Sequence, residues 1–407
     1  MKIKDIVTFV SKSITPQEGV TYNLYSLPSF DEGKTFEVLD GGDIHSNKYD
    51  VPNKCILFNK LNVRFKRVWR IENQDDNKIS STEFLPLVVN GNVVDFQYCY
   101  YLLISDKITN YLCGQNTNTS GSHKRIDPNN FLNIEINLPK MSIQKQIGKT
   151  LSVLDRKIEL NKQINDNLEA MAKQLYDYWF VQFDFPNEEG KPYKSSGGAM
   201  VYNERLKREI PIGWTCCSIK EMCDINKKTI NKDEHKQIEY LDTGSITQGH
   251  ISNTEIYSVD MAPSRAQRKV EDLSILYSSV RPRLLHYGIL STPKENFIVS
   301  TGFVTLDAKY KKMALMVYYY LTSNTITEHL ASIADTAVSS YPSISPDDIA
   351  YLDIVIPSND IIQKYNDIVE PMFRKMSTLR KEIDSLTKRR DELLPLLMNG
   401  QASVNSD

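Results

Sequence analysis

The most constraining feature of this 407-residue chain is an internal repeat with a period of about 218 residues. With a shift of 218, 12 of the 40 residues from 100 to 139 are identical to their partners without a gap, including Tyr100 with Tyr318 and Ile126 with Ile344. Random pairing would give only a few identities. A chain that repeats itself over this length is expected to fold as two copies of one module, which we place at roughly 1–182 and 210–400.

Each copy has the same internal order. A stretch of about 140 residues carries short β-type runs, such as 54–58, 299–306 and 352–356, separated by turn signals. A tyrosine-rich segment inside this stretch is predicted to be helical. A long helix follows in both copies.

The two long helices are predicted from apolar residues that recur every three or four positions. The first pattern runs from 143 to 180, and Asn161 and Asn165 interrupt it midway. The second carries Arg390 in its seam, and Pro371 predicts a kink or a start. Because both stripes occupy the same place in the repeat, pairing of the two helices is favoured over packing of each against its own domain.

The predicted fold class is therefore α+β, with two globular domains in a pseudo-two-fold repeat joined by two long antiparallel helices that form a coiled coil. The globular domains are expected at 1–140 and 210–357, and the helices at 141–182 and 358–400. A segment rich in Pro, Gly, Ser and charge predicts a linker at 183–209, and 401–407 is a tail.

Composition narrows the class of protein. The chain is 41% hydrophobic and 25% charged, which is ordinary for a globular protein, and no apolar run approaches the roughly 20 residues of a membrane span. The N-terminus lacks the apolar core of a secretory signal. Six cysteines show neither C-x-x-C spacing nor a zinc-finger histidine, so we expect reduced thiols, no metal site and a cytoplasmic location.

The net charge of −2 counts mildly against nucleic acid as a partner, but the distribution of charge matters more. Residues 59–70 contain no acid, and Phe65 and Trp69 lie among five cations, which are Lys60, Arg64, Lys66, Arg67 and Arg70. The repeat-equivalent place holds Arg281 and Arg283, and a third cluster contains Arg265, Arg268 and Lys269. DNA binding needs cations along the phosphates and planar donors at base edges. The alternative is a solvated strand face or exposed loop.

Three stretches resemble the specificity-subunit family of Type I restriction–modification systems. Leu138-Pro139 and the helical stripe up to Trp179-Phe180 resemble the family's first central helix. Residues 183–214, with GKPY at 190–193, are similar to its passage into the second recognition domain. Residues 121–126 and their repeat partner 339–344 each resemble the loop before the last strand of a target recognition domain. The resemblance covers almost the whole chain.

The resemblance implies a non-catalytic subunit that binds double-stranded DNA, with each recognition domain reading one half of a split, asymmetric target. It implies that two methyltransferase subunits dock on the helices, which set the gap, and that restriction (motor) subunits join the full complex. The chain itself would need no cofactor, whereas its partners would use S-adenosylmethionine, and ATP with Mg²⁺. No membrane is involved.

The two pre-strand loops supply further candidate DNA contacts, with an ordinary turn as the alternative. The first loop contributes Ser122, His123, Lys124 and Arg125, and the second contributes Tyr341 and Ser343. The second loop has Ser339 where the first has Gly121 and lacks the basic pair, so the two loops need not contact DNA in the same way.

The rival interpretation is a DNA-modifying enzyme, such as a fused restriction–methyltransferase. The sequence lacks the Gly-rich cofactor turn and the Asn/Asp-Pro-Pro-aromatic motif of an adenine methyltransferase, and it lacks the P-loop of an ATPase. The acidic pairs Asp75-Asp76 and Asp347-Asp348 are typical of turns and do not indicate a nuclease site. A purely structural coiled-coil adaptor is the third class, and the two large β-containing domains argue against it. The DNA target is not readable from the residues, because recognition depends on side-chain geometry and DNA shape.

Overall fold

The computed structural model describes residues 1–115, 125–336 and 342–402. The chain divides into two compact units, unit 1 with Met1–Leu160 and Ile383–Asp407, and unit 2 with Asn161–Glu382. Both units combine β-sheets with helices, so the predicted α+β class is confirmed.

Unit 1 contains two sheets and four short helices in front of a long one. The strands are β1 (Val7–Phe9), β2 (Ser13–Ile14), β3 (Thr21–Tyr25), β4 (Glu37–Asp40), β5 (Lys48–Asp50), β6 (Cys55–Asn59), β7 (Val68–Ile71), β8 (Lys78–Ser80) and β9 (Phe84–Val89). The helices are α1 (Leu27–Asp31), α2 (Phe96–Ile104), α3 (Asp106–Gln115), α4 (Pro128–Leu132) and the long α5 (Met141–Tyr176), which passes into unit 2 and ends in a π-helical turn at Asp177–Val181.

Unit 2 repeats this order after a short β-hairpin. Its strands are β10 (Met200–Asn203), β11 (Arg208–Pro211), β12 (Thr215–Ser218), β13 (Cys223–Ile225), β14 (Gln237–Leu241), β15 (Ile246–Thr247), β16 (His250–Ile251), β17 (Glu255–Ser258), β18 (Ala266–Lys269), β19 (Ile275–Ser278), β20 (Tyr287–Ile289), β21 (Phe297–Ser300), β22 (Phe303–Ala308) and β23 (Asp353–Ile356). Its helices are α6 (Ile219–Met222), α7 (Ala314–Leu321), α8 (Asn324–Thr336), α9 (Pro346–Ala350) and the long α10 (Asn359–Met398), whose residues from Ile383 onward belong to unit 1.

The two main sheets of each unit correspond in strand order, except that β2 adds a fifth strand to the second sheet of unit 1. The order β1-β9-β6-β7 in unit 1 corresponds to β13-β22-β19-β20 in unit 2, with all pairs antiparallel. A second sheet places one parallel pair, β3 with β8 or β14 with β21, between antiparallel neighbours. The repeat predicted from the sequence is therefore present in the fold. The run at 299–306 is two strands, because a turn at 301–302 separates β21 from β22.

The tyrosine-rich segments form α2 and α7, as predicted. Asp95 caps α2 by accepting a hydrogen bond from the Tyr98 N–H at 3.0 Å. Tyr98 and Tyr101 are almost completely buried in the core of unit 1. Burying a large apolar side chain contributes about 1.5–3 kcal/mol, so these short helices hold the sheet and the long helix together.

The long helices pair antiparallel inside each unit. In unit 2, Asn161 of α5 donates to Glu382 of α10 at 3.0 Å, and further along the chain the Trp179 ring lies 5.8 Å from that of Tyr365. Later residues of α5 thus contact earlier residues of α10, as in an antiparallel pair. In unit 1, Asp155 meets Arg390 at 3.1 Å. Helix α10 begins at Asn359, so Pro371 does not start it.

The segment treated as a linker is packed into unit 2. Phe183 and Phe185 are buried in its core, and Phe185 stacks between Tyr193 and Trp214 with ring centroids 4.6 and 4.7 Å away. The buried Asp184 carboxylate accepts hydrogen bonds from the backbone N–H and the hydroxyl of Ser195. Its Pro, Gly and Ser residues therefore form ordered turns.

Candidate nucleic-acid interface

The predicted basic regions lie at the tips of two equivalent β-hairpins. Between β6 and β7, a 3-10 turn at Val63–Phe65 is bracketed by Asn62 and Lys66, with φ of 52° and 48°. Between β19 and β20, the turn at Pro282–Leu284 is bracketed by Arg281 and Leu285, with φ of 47° and 56°. Left-handed backbone is uncommon outside glycine, so both tips have the same unusual and well-defined shape.

Buried polar side chains close the base of each tip. Asn59 accepts a hydrogen bond from the Leu61 N–H at 2.8 Å and donates its amide to the Leu61 carbonyl. The Ser278 hydroxyl makes the same two bonds with the backbone of Val280, at 3.2 and 3.1 Å. Both residues end an apolar strand at the same repeat position. That shared position is the sequence signal from which this pair of residues could have been predicted.

The structure brings the second candidate region to the first. The Ile126 N–H donates to the Lys60 carbonyl at 2.9 Å, and Leu61 forms a β-bridge with Arg125. In unit 2 the Ile344 N–H donates to the Ser279 carbonyl at 2.8 Å. The end of each pre-strand loop thus lies against its hairpin. Ser122, His123, Lys124 and Tyr341 fall outside the described residues.

The cations at the first hairpin tip, of which Arg64 is exposed and Lys66 and Arg67 are partly buried, contact acids and an aromatic ring. The guanidinium groups of Arg64 and Arg67 lie over the half-exposed ring of Phe65, at 4.7 and 4.8 Å from its centroid. Arg67 also donates two bonds of 2.7 Å to Asp31. This bidentate bond is the main cause of a lowered pKa of the Asp31 carboxyl. Lys66 pairs with Asp106 at 2.6 Å.

The last cation of this surface is Arg125, which pairs with Glu83 at 2.7 Å. Hydrogen bonding to Glu83 raises the pKa of the Arg125 guanidinium. The Glu83 carbonyl also accepts the Lys60 N–H at 2.9 Å, so one residue joins the hairpin and the loop. Exposed ion pairs contribute about 0–1 kcal/mol, and a phosphate can displace the acid at little cost.

Arg70 occupies a different environment. It is half-buried on β7, with its guanidinium 4.4 Å from the ring centroid of Tyr100 and 4.0 Å from the carboxylate of Asp155 on α5. It also donates a hydrogen bond to Gln97. This side chain faces the helices of unit 1, whereas Arg64 at the tip is exposed.

In unit 2, Arg281 and Arg283 are both exposed at the tip. Arg283 bridges to α8 through Asp335 at 2.5 Å and Glu328 at 3.2 Å, and these bonds raise the pKa of its guanidinium. Ser343 is exposed beside the same hairpin, bridged to Val280.

The third cluster lies on the other sheet of unit 2. Arg268 is half-buried and donates to the Asn226 carbonyl at 3.0 Å, and burial lowers the pKa of its guanidinium. Lys269 pairs with Glu234 at 3.1 Å. Arg265 is exposed, and its carbonyl accepts a hydrogen bond from the Thr301 N–H. The carbonyl of the next residue, Gly302, accepts the N–H of Ser279 at the base of the hairpin. Arg265 therefore adjoins the second hairpin.

Sequence reasoning missed the acids that hold these cations. Asp31, Glu83 and Asp106 lie 36–42 residues from their partners along the chain, and no local pattern signals such a pairing. Within the described ranges, no group of three or more His, Cys, Asp or Glu side chains could hold a metal ion. The helices described here include none that is both long and apolar enough to cross a membrane.

Comparison with known proteins places this fold in a family. The family model for the Type I restriction modification DNA specificity domain matches residues 1–170 and 211–388. The chain is 25% identical over 338 residues to the Type I restriction enzyme MjaIX specificity subunit of Methanocaldococcus jannaschii, covering 81% of this chain and 74% of that protein. It is 24% identical over 430 residues to the HindI specificity subunit of Haemophilus influenzae, covering 90% and 93%.

A solved structure shares the fold. The Type I restriction-modification S subunit from M. genitalium superposes with a TM-score of 0.63 at 16% identity, covering 100% of this chain and 96% of that one. The family match extends over both repeats and most of the chain. This protein therefore belongs to the family of Type I restriction–modification DNA specificity proteins.

Proposed function

We propose that this chain is the non-catalytic DNA-recognition subunit of a Type I restriction–modification complex, and that each β-sheet domain reads one half of a bipartite, asymmetric target. The observation that carries the proposal is the repeated surface of hairpin tip and loop, present in both units with the same backbone bonds and with arginine at both tips. Two reading surfaces in one chain suit a target with two different halves.

The exposed arginines are the best candidates for reading bases. Arg64, Arg125, Arg281 and Arg283 can present a planar fork to guanine, and Ser343 with Ser122, His123, Lys124 and Tyr341 would complete the loops. Lys60, Lys66, Arg67, Arg265 and Lys269 suit phosphate contacts, which give affinity without sequence information. Arg268 is partly buried on β18, an edge strand, and would contact DNA from that edge of the sheet. We assign Arg70 to positioning the hairpin.

The partners follow from the same proposal. Two methyltransferase subunits would dock on the helix pair, supplying S-adenosylmethionine chemistry, and restriction subunits would bring ATP and Mg²⁺. Native mass spectrometry of the co-expressed complex is expected to show two methyltransferases per chain. A one-to-one complex at saturating partner contradicts this stoichiometry.

The long helices would set the gap between the half-sites. Helix α5, with 36 residues, spans roughly 54 Å at 1.5 Å per residue, which exceeds the 34–36 Å repeat of DNA. Inserting four residues near Asn161 in α5, matched by four after Lys381 in α10, adds about 6 Å and should lengthen the gap while leaving both half-sites unchanged. If the double-insertion variant is active and methylates a motif with the original gap, the helices do not set the gap.

The deciding experiment is methylome sequencing of a host that expresses the methyltransferase with or without this chain. The expected result is a two-part methylated motif that requires the chain. The purified chain, tested without the methyltransferase, should transfer no methyl group. Methylation by the chain alone would favour the enzyme interpretation instead.

A further inference from the structure

Polar clusters interrupt the apolar seam between the long helices in both units. In unit 1, Asp155 of α5 accepts hydrogen bonds from Arg390 of α10 at 3.1 Å and from the hydroxyl of Tyr101 on α2 at 2.5 Å. Tyr101 is completely buried, and the Asp155 and Arg390 side chains are 16% and 28% exposed. One carboxylate thus joins both helices to the recognition domain.

The seam of unit 2 holds an analogous cluster. Glu169 of α5 pairs with Arg380 of α10 at 3.2 Å, and Arg380 donates to the Gly249 carbonyl in the β15–β16 turn at 2.8 Å. A side chain at Gly249 would begin 3.2 Å from Arg380 and 3.4 Å from the Tyr318 hydroxyl. The cluster is therefore closely packed against the domain.

The two clusters do not derive from one ancestral pair of positions. With a shift of 218, Asp155 aligns with Phe373 and Arg390 aligns with Ala172, both of which are apolar and buried. Each unit has nevertheless placed an acid of α5 and an arginine of α10 beneath its own β-sheet domain. An ion pair across the seam therefore occurs in both units at unrelated positions, which points to a shared requirement.

The physical role of such a cluster is orientation. Apolar packing is non-directional, so an apolar seam tolerates small rotations of the domain. Charge-assisted hydrogen bonds have preferred distances and angles. A buried ion pair adds little net stability compared with apolar packing, but polar seam residues can fix register.

We propose that Asp155, Arg390 and Tyr101 in unit 1, and Glu169 and Arg380 in unit 2, fix the angle at which each β-sheet domain sits on the helix segments of its own unit, and thereby restrict the DNA target to one gap length. The inference rests on the proposed function. A tilt of about 10° over a lever of roughly 20 Å, the scale of such a domain, moves a hairpin tip by about 3.5 Å. That displacement is close to the rise of about 3.4 Å for one base-pair step.

The test measures binding of the methyltransferase complex to DNA duplexes with the native gap and with gaps one base pair shorter and longer. Tyr101→Phe keeps the ring and removes only the hydroxyl, Arg390→Met removes the pair between Asp155 and Arg390, and Glu169→Gln weakens the pair between Glu169 and Arg380. Each should lower discrimination between the native and altered gaps at least 10-fold, with half-site preference unchanged. Methylated genomes should then contain motifs of a second gap length.

Matched controls separate this role from general destabilisation. Tyr100→Phe changes the neighbouring tyrosine, which lies under Arg70, and Lys364→Met removes an exposed pair with Asp360 elsewhere on α10. Both should keep the wild-type gap. If Arg390→Met does not fold, Arg390→Lys keeps the charge without the fork, and Tyr101→Phe still gives the readout.

Folded variants that discriminate gaps as sharply as the wild type overturn the inference. Loss of discrimination in Tyr100→Phe to the same extent as in Tyr101→Phe also overturns it. A wild-type complex with no preference for a bipartite site overturns the proposed function and this inference with it.

Discussion

The two hairpin tips share a backbone and differ in side chains. With a shift of 219, Arg64 corresponds to Arg283, but Lys66 corresponds to Leu285 and Arg67 to His286, whose Nδ1 lies 2.6 Å from the Ile246 carbonyl. The same shift aligns Glu83 with Gly302, and both carbonyls accept the N–H at the base of the hairpin at 2.9 Å. The same backbone conformation therefore carries different side chains at the two hairpin tips.

This difference teaches how one fold can read two sequences. The bonds that shape the tip come from the backbone and from Asn59 or Ser278, whereas the side chains that differ, those of Lys66 and Arg67 against Leu285 and His286, take no part in these bonds. Unit 1 carries the denser positive charge, so we expect it to supply more phosphate affinity. Unit 2, with arginine mainly at the tip itself, is expected to depend less on salt.

The largest effect should come from removing the charge of the first tip. Changing Lys60, Arg64, Lys66 and Arg67 together to Gln should make the salt dependence of DNA binding shallower by about 3 in log–log slope, since each of the three proposed phosphate contacts, Lys60, Lys66 and Arg67, contributes about 0.9. The double change Arg281→Gln with Arg283→Gln should reduce it by at most about 2. Filter binding between about 50 and 200 mM salt measures both slopes.

The control for this prediction is Lys12→Gln, which neutralises an exposed lysine paired with Asp50 and should reduce the slope by less than about 1. Equal slope changes for the two tips would contradict the asymmetry between the units.

The next effect concerns a single side chain. Arg125→Ser makes the first loop resemble the second, which has Ser343 at that place, and should relax one half-site only, with a loss of discrimination of about 5- to 150-fold. Glu83→Gln removes the charge of the partner of Arg125 and should leave the motif unchanged. Methylome sequencing reports both. A uniform loss at all sites would reclassify Arg125 as a phosphate contact.

A smaller effect is expected where α5 approaches α2. A Cβ at Gly148 would lie 2.8 Å from the Asp95 carboxylate and 2.9 Å from the Tyr98 nitrogen, so Gly148→Ala should overpack the capped end of α2 at a cost of about 1–3 kcal/mol. Better helix propensity offsets about 1 kcal/mol. Hydrogen exchange should show faster opening of unit 1 with unit 2 unaffected.

The matched change in unit 2 is Asn366→Ala at the equivalent position. The Asn366 Oδ1 is buried and has no hydrogen-bond partner in the part of the chain described, and its Nδ2 donates to Glu370 on the same helix at 2.9 Å. Truncation to Ala loses that one bond and creates no close contact, so it should cost less. If Gly148→Ala opens unit 1 by no larger a factor than Asn366→Ala opens unit 2, the close approach at Gly148 is unimportant.

The smallest effect is a pH-dependent contribution to stability that the contact between Arg374 and Asp272 gives to unit 2. Arg374 on α10 donates two bonds of 2.6 and 2.7 Å to Asp272, and this contact lowers the pKa of the Asp272 carboxyl. A lowered pKa in the folded state stabilises the protein above the usual carboxyl pKa, and the contribution is lost as pH falls through the lowered value. The repeat-equivalent residue in unit 1, with a shift of 219, is Asn53. Asp272→Asn therefore gives unit 2 the residue of unit 1, and it should lower the free energy of unfolding by about 1 kcal/mol at pH 7.

The cost of Asp272→Asn should shrink in acid, as pH falls below the usual carboxyl pKa toward the lowered value. Urea unfolding of both proteins at pH 7 and near pH 3 measures it. A penalty that is the same at both values would mean that the carboxylate charge is not what Arg374 stabilises.

The sequence predicted the parts of the fold that depend on local pattern and on the repeat. The helical stripes placed α5 and α10 within a few residues of their observed ends, and the tyrosine-rich segments are helices. Asn161 and Asn165 were expected only as interruptions, but both are buried, and Asn161 meets Glu382 across the seam. Such pairings lie beyond sequence reasoning because they join residues more than 200 positions apart.

For the candidate site, the sequence located the cations but not their surroundings. Spacing alone could not distinguish Arg70, which faces Tyr100 and the helices, from Arg64 at the exposed tip, because strand direction and turn geometry decide where each side chain lies. The proximity of Arg125 to Lys60 likewise depends on a bridge between distant segments. The DNA contacts of all these residues stay predictions.

The backbone origin of the tip geometry has an evolutionary consequence. Since the bonds of Lys60, Ser279, Ile126 and Ile344 involve main-chain atoms, mutations at the outward positions leave the hairpin intact and change only what it displays. A lineage can therefore drift from one target to another through folded intermediates. The tolerance ends at Asn59 and Ser278, whose side chains close the turns, and these positions should vary least among descendants that have changed their targets.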